Sequence, residues 1–293
     1  MASKSTSKSA ARRPGTEPGG KGPGGGTKGA SGAKGPGGGT AKQRARAAKA
    51  VAAARADRAR RNRLIVTVSV CVVLVAVVIG AVIFANYQND KAKNAVIKAQ
   101  TISANYPVRI DNGTILAGKD SAPTKIDVYE DLLCPYCGQL EQDNGKEMQK
   151  DLNNGSLQIR YRIVDTLNTN SNPPGYSQRA ANATFASVQS GKFASYHWSL
   201  FHDQPEEQGP GYSNSQLTSL ADRLGIPTGG AFGKAVKSGK YNSFPDQQAK
   251  KLLSDKSLVG PDGRVGTPTV VSGGKVVDST KPGWLSTLIT SNS

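Results

Sequence analysis

The chain reads as an α/β protein in which a small mixed sheet is interrupted by a helical block and preceded by a basic disordered tail and one transmembrane helix. Three observations carry that reading. Residues 64–85 form an apolar run without a charge, two stretches of alternating apolar residues flank a helix-starting proline at Pro135, and helical spacing takes over from about 177 to 255 before strand signals return. The expected divisions are a tail over 1–63, a membrane helix over 64–86, a stalk over 87–104 and a folded domain over 105–293.

The first forty of the 293 residues contain 13 glycines and 4 prolines and almost nothing large and apolar, so they bury too little surface to pack a core. Residues 1–63 hold 16 Lys and Arg against Glu17 and Asp57, a net of +14 that leaves only +3 of the chain's +17 for everything after it. No aromatic side chain is interleaved for base stacking, so nucleic acid is not an expected partner. Anionic membrane lipid suits such a charge run better.

From Leu64 to Ala85 the run is broken only by Thr67, Ser69, Cys71 and Gly80. At about 1.5 Å per residue it reaches roughly 33 Å, enough to cross a hydrocarbon core of about 30 Å. A cleaved signal peptide has an apolar part of only about 7 to 15 residues, and a buried core helix does not call for the flanking Arg58, Arg60, Arg61 and Arg63. Arg44, Arg46, Lys49 and Arg55 extend that basic side, whereas Lys91, Lys93 and Lys98 follow the span. The charge asymmetry predicts a single-pass plasma-membrane protein with a cytoplasmic N-terminus and everything after about Tyr87 exported, in an oxidising compartment. Cys71, inside the apolar run, is expected to be an inert packing residue.

Beyond a helical or loose stalk containing Ala92, Ala95, Val96 and Ala99, a hairpin is expected over 107–118 around Asn112-Gly113. Ile126 and Val128 alternate with Asp127 and Tyr129, and Leu157, Ile159, Tyr161 and Ile163 repeat that period of two. With a helix from Pro135 to about Leu152 between them, the two strands should pair in parallel. Phe193, Tyr196, His197, Leu200 and Phe201 then gather on one helical face, and a capping box at Ser213 and Gln216 opens a helix striped by Leu217, Leu220, Ala221 and Leu224. Strands over 268–271 and 275–277 are expected around Ser272-Gly-Gly274, followed by a last helix bearing Trp284, Leu285, Leu288 and Ile289.

Cys134-Pro-Tyr-Cys137 carries the chemistry, because no other cysteine lies outside the apolar run to complete a structural bridge or a four-thiol metal site. Pro135 suits the first helical turn, where a missing N–H breaks no bond, so Cys134 falls at the helix N-terminus. There the free amides and the dipole favour a thiolate, which leaves readily and makes the disulfide a better oxidant. Cys137, one turn on and more enclosed, would resolve a mixed disulfide.

Tyr129-Glu-Asp-Leu-Leu-Cys-Pro-Tyr-Cys137, the later Gly266-Thr-Pro-Thr269 and the helical block between them resemble the DsbA-like branch of the thioredoxin superfamily, over residues 105–291. The resemblance implies a thioredoxin-like fold with a helical insertion and exchange of disulfides with reduced exported proteins, without a cofactor. It makes Cys134 the exposed nucleophile, Cys137 the resolving thiol and Pro268 a cis-proline. Thr267, whose backbone pairs with bound substrate, joins Pro268, Pro135 and Tyr136 as the expected substrate-binding set. A membrane reoxidant of the DsbB or quinone-linked VKOR type would recycle the protein, and tethering raises the effective concentration of such a partner.

Two departures from the family pattern matter. Tyr136 stands where strongly oxidising relatives carry histidine, which implies a milder oxidant than the roughly −120 mV of DsbA. Val128 stands where many relatives hold a buried acid, leaving Asp127, Glu130 and Asp131 as candidates to relay the resolving thiol's proton. Reductase and isomerase roles use the same thiols, although nothing resembles a dimerisation module. A zinc site drawing on His197 and His202 would place 59 residues between Cys137 and His197 where fingers use about 12 to 15, and would set the two histidines about 140° apart on a helix. No metal is therefore expected. A non-catalytic exported polypeptide-binding domain with an inert disulfide is the alternative of another class, and so short a disulfide loop would contribute little stability.

Overall fold

Pairing of β3 (Thr124–Glu130) with β4 (Leu157–Ile163) forms the centre of the sheet in a computed structural model that describes residues 40–93, 95–260 and 262–292. The two strands run parallel from Thr124 opposite Leu157 to Glu130 opposite Ile163, joined by α2 (Pro135–Asn154). A hairpin of β1 (Val108–Asp111) and β2 (Thr114–Ala117) adds to the β4 side, turning at Asn112-Gly113 with φ of 48° and 73°. Such left-handed values are what an Asn-Gly hairpin turn requires. On the other side β5 (Thr269–Ser272) and β6 (Lys275–Val277) complete a six-stranded sheet in the order β1-β2-β4-β3-β5-β6. Alternation in β3 sends Ile126 and Val128 into the core and leaves Lys125 exposed.

Among the described residues, five α-helices lie between β4 and β5, α3 (Tyr176–Val188), α4 (Phe193–His202), α5 (Asn214–Arg223), α6 (Ala231–Ser238) and α7 (Ser243–Ser254), with a 3-10 turn at Lys256–Leu258, and α8 (Trp284–Asn292) closes the fold. The capping box is present: Gln216 N–H donates to Ser213 Oγ at 3.3 Å, and Ser213 N–H to Gln216 Oε1 at 2.9 Å.

Two segments depart from the sequence expectations. The expected disordered tail lies outside the described residues as far as 39, but from Ala41 the chain is helical, and α1 (Ala41–Lys93) runs through the apolar segment without interruption. No glycine or proline lies between Gly39 and Gly80, and the alanine and arginine that follow Gly39 are strong helix formers. The chain divides into two units at Val73, within α1, and all six strands belong to the unit that begins at Leu74.

The second departure is the stalk, whose residues 95–104 have no regular structure yet are held firmly. Lys98 N–H donates to Asp203 Oδ2 at 2.6 Å, Gln100 N–H to Ser199 Oγ at 2.8 Å and Ile102 N–H to Ser195 Oγ at 3.0 Å. The match is one of pitch. Two extended residues advance about 6.6 Å and four helical residues about 6 Å, so alternate amides of the strap meet every fourth residue along α4 and its C-cap. Ile97, just ahead of these contacts, is fully buried, and its carbonyl accepts from Arg223 of α5 at 2.8 Å.

Candidate active site

Chain leaving β3 turns through Asp131, Leu132 and Leu133, all fully buried, before α2 begins. The Asp131 carboxylate ties this turn down by accepting from the amides of Leu133 and Leu167, each at 2.9 Å. Cys134 is the N-cap, extended at φ −72° and ψ 117°, and Pro135 takes the first helical position. Gln204 braces the turn from the loop that follows α4, donating from Nε2 to the carbonyls of Cys134 at 2.9 Å and Leu132 at 3.1 Å. A Cβ on Gly138 would collide with the Gln204 side chain, so glycine makes room for this brace.

Both thiols are free. Cys134 is only 4% exposed, so it is not the open nucleophile that the family resemblance implies, whereas Tyr136 beside it is 71% exposed. The cover comes from the Thr267–Pro268 loop: the peptide bond is cis, and as a thiol Cys134 donates to the Thr267 carbonyl at 3.3 Å. The same loop lines a groove of about 590 Å³ with Tyr136, Arg264, Val277 and Thr280. The four expected substrate-binding residues therefore surround the Cys134 end of α2 and the loop facing it.

The two thiols hold their protons oppositely. A hydrogen bond from Cys137 lowers the Cys134 pKa from 9.0 to about 6, with the Thr267 side chain and the amides of Cys137 and Tyr136 adding to it and burial opposing. Burial pushes Cys137 well above its ordinary value, with Cys134 and the charge of Glu130 acting in the same direction. Cys134 is thus thiolate near neutral pH while Cys137 keeps its proton.

The three candidate acids have separate fates. Asp127 lies on the other face of β3, where it pairs with Arg162 at 2.9 Å and Arg160 at 3.7 Å, far from proton traffic at Cys137. Strand alternation explains this, since Asp127 points opposite to Ile126 and Val128. Asp131 is raised to about 6 by burial, but its oxygens serve the turn described above. Glu130, fully buried, faces the helical insertion and bonds His197 Nε2 through Oε1 at 2.6 Å.

His197 is thus the hydrogen-bonded core residue its apolar stripe suggests, and His202 is exposed, so the two do not converge on the cysteines. Glu141 was not anticipated. It is buried beside Glu130 and His197, one donor atom of each lying within 4.8 Å of the others. Its signal was available, because Glu141 follows Cys137 by four residues and shares its helical face. By distance this cluster is the one metal-sized donor set among the described residues, but the Glu130–His197 hydrogen bond already joins two of its three members.

Comparison with known proteins agrees with this architecture. Residues 111–290 match the family described as Thioredoxin. The serine/threonine-protein kinase PknE of Mycobacterium tuberculosis is 29% identical over 189 residues, 62% of this chain but 32% of the kinase, so the match spans about a third of that relative's length. Among solved structures, the reduced form of the disulfide bond oxidoreductase DsbG from M. tuberculosis is 26% identical with a TM-score of 0.51, over 64% of this chain and 87% of that one. Reduced DsbA from M. tuberculosis gives 25% and 0.53, over 62% and 92%. MdbA, a thiol-disulfide oxidoreductase from Corynebacterium diphtheriae, gives 25% and 0.51, over 70% and 100%. With the family matched across most of the sheet and the whole helical insertion, this chain belongs to the thioredoxin family, in the form shared with DsbA-like thiol-disulfide oxidoreductases.

Proposed function

We propose that the protein is a membrane-anchored thiol:disulfide oxidoreductase that introduces or exchanges disulfides in exported proteins through Cys134 and Cys137. The observation that carries this is the unequal thiol pair, one lowered to about 6 at a helix N-cap and the other buried and raised. A client thiolate attacks Cys134 in the oxidised protein and breaks the bond to Cys137. The client's second thiolate then closes its own disulfide and releases Cys134 as a thiolate. Stabilising that thiolate favours the reduced protein, so the chemistry favours oxidation of clients over the reductase and isomerase readings.

Thr267 and Pro268, with Pro135 and Tyr136, form the surface against which an extended client segment would lie. The apolar part of α1, long enough to cross a bilayer and free of charge from Leu64 to Ala85, supports single-pass anchoring in the plasma membrane. Its basic N-terminal flank supports a cytoplasmic tail, which would meet anionic lipid, and an exported catalytic domain. A membrane reoxidant of the DsbB or VKOR type would then restore the disulfide. Changing Cys137→Ala should trap clients as mixed disulfides on Cys134, and adding Cys134→Ser should release them all. Recovery of no trapped partner from oxidising cells would refute this function.

A further inference from the structure

Gln204 reaches the active-site turn with its side chain alone: among the described residues its backbone makes no hydrogen bond, and the chain there has no regular structure. Its place is therefore set by its neighbour Asp203, the C-cap of α4, which is held from three directions. Asp203 N–H donates to the Ser199 carbonyl at 3.1 Å, its carbonyl accepts from the Tyr212 hydroxyl, and its carboxylate accepts from Lys98 N–H of the strap at 2.6 Å. Lys98 Nζ lies 3.9 Å from that carboxylate but is largely exposed, so the amide carries the contact. Just ahead of it the strap is pinned on α5, where Gln216 donates to the Ala95 carbonyl and Arg223 to that of Ile97, each at 2.8 Å. At the other end, the Cys134 carbonyl takes three donors: the amides of Cys137 at 3.0 Å and Gly138 at 3.1 Å, and Gln204 Nε2 at 2.9 Å. Fixing that carbonyl fixes the first peptide of α2, and with it the aim of the Tyr136 and Cys137 amides that help to lower the Cys134 pKa.

We infer that the strap, Asp203 and Gln204 form one positioning path to the nucleophile: the Lys98 amide fixes Asp203, Asp203 fixes Gln204, and Gln204 holds the turn in the arrangement in which the helix amides meet the Cys134 sulfur. Asp203 and Gln204 are positioning residues, neither touching a reacting atom, and the inference rests on the disulfide-exchange reading above. A break anywhere along the path loosens the same turn. The thiolate then loses amide contacts, and the disulfide becomes a weaker oxidant. The groups that act on the sulfur by their side chains, Cys137 on α2 and Thr267 on the cis-proline loop, remain. Ser195 lies two turns back along α4, so its bond to the Ile102 amide holds the strap without bearing on Gln204. The coupling is reciprocal: a strap contact that favours the thiolate is itself favoured by it, to the same factor.

The test uses the full chain in detergent, reduced, with alkylation of Cys134 by iodoacetamide followed across pH; in the unsubstituted protein its midpoint should lie near 6. Gln204→Ala and Asp203→Ala should each raise the midpoint by roughly 0.3 to 1 pH unit, the 2- to 10-fold that one lost hydrogen bond is worth. Loss of the Asp203 charge by itself acts in the opposite direction, because a departing anion favours the thiolate. Asp203→Asn keeps an oxygen for the Lys98 amide and should leave the midpoint no higher than in the unsubstituted protein. Ser195→Ala, which frees a different strap amide, should leave it unmoved. A midpoint that stays or falls in Gln204→Ala or Asp203→Ala, or that rises as far in Ser195→Ala, overturns the path. Should the variants not fold, amide hydrogen exchange of the reduced, unsubstituted protein decides. Lys98, measured against Ile102, should be protected roughly 2- to 10-fold better at pH 8 than at pH 5, and a constant ratio refutes the path. Oxidation by glutathione disulfide separates the path from the function. Unsubstituted protein that forms no Cys134–Cys137 disulfide removes the exchange reading and this inference with it, whereas absent shifts in protein that does form one remove the inference alone.

Discussion

Cys134 and Cys137 occupy neighbouring turns of one helix, and the hydrogen bond between them turns equal side chains into an ionised and a protonated partner. The linkage has a definite sign. The Cys134 pKa is lower in the folded protein, about 6 against 9.0, so its stabilisation is complete above the higher value and vanishes as pH falls through the lower. Unfolding of the reduced protein compared with Cys134→Ser should show a difference growing by up to about 1.4 kcal/mol per pH unit between those limits. A flat difference would mean that the thiolate is not stabilised. Gln204 offers a second residue-scale check: Gln204→Ala removes two hydrogen bonds to the active-site turn and should cost about 1 kcal/mol in denaturant unfolding. The thiols are legible in the sequence as a local motif, and Thr267 and Pro268 through the family resemblance. Gln204 is not, because its partners lie 70 and 72 residues away and a polar residue after a helix carries no mark of them.

At the level of elements, contact between α2 and α4 brings Glu141 to His197, and Gly145 sets how closely they approach. A Cβ at Gly145 would overlap the Trp198 ring, so Gly145→Ala should push the helices apart and lower stability by roughly 1 to 3 kcal/mol, read from the unfolding midpoint. The strands were readable because burial on alternate residues writes itself into β3 and β4, and the capping box of α5 because its side chains close on their own backbone. The helical start of α1 was hidden by averaging residues 41–63 with the glycine-rich stretch before them. The strap over 95–104 was hidden for a different reason: amides bonded to serine and aspartate side chains leave no periodic pattern of apolar residues.

For the whole molecule, the charge on either side of the apolar segment gives the orientation its test. A membrane-impermeant maleimide applied to intact, reduced cells should label Cys134 in the Cys71→Ala chain, and protection from it until lysis would reverse the topology. The strap adds a mechanical consequence. Because the strap that follows the apolar helix is laced along α4 and its C-cap, any pull on that helix would be borne first by the amide bonds at Ser195, Ser199 and Asp203. The strap is a lever fastened to the wall of the thioredoxin-like domain, and tension along the chain would register there before it reached the sheet.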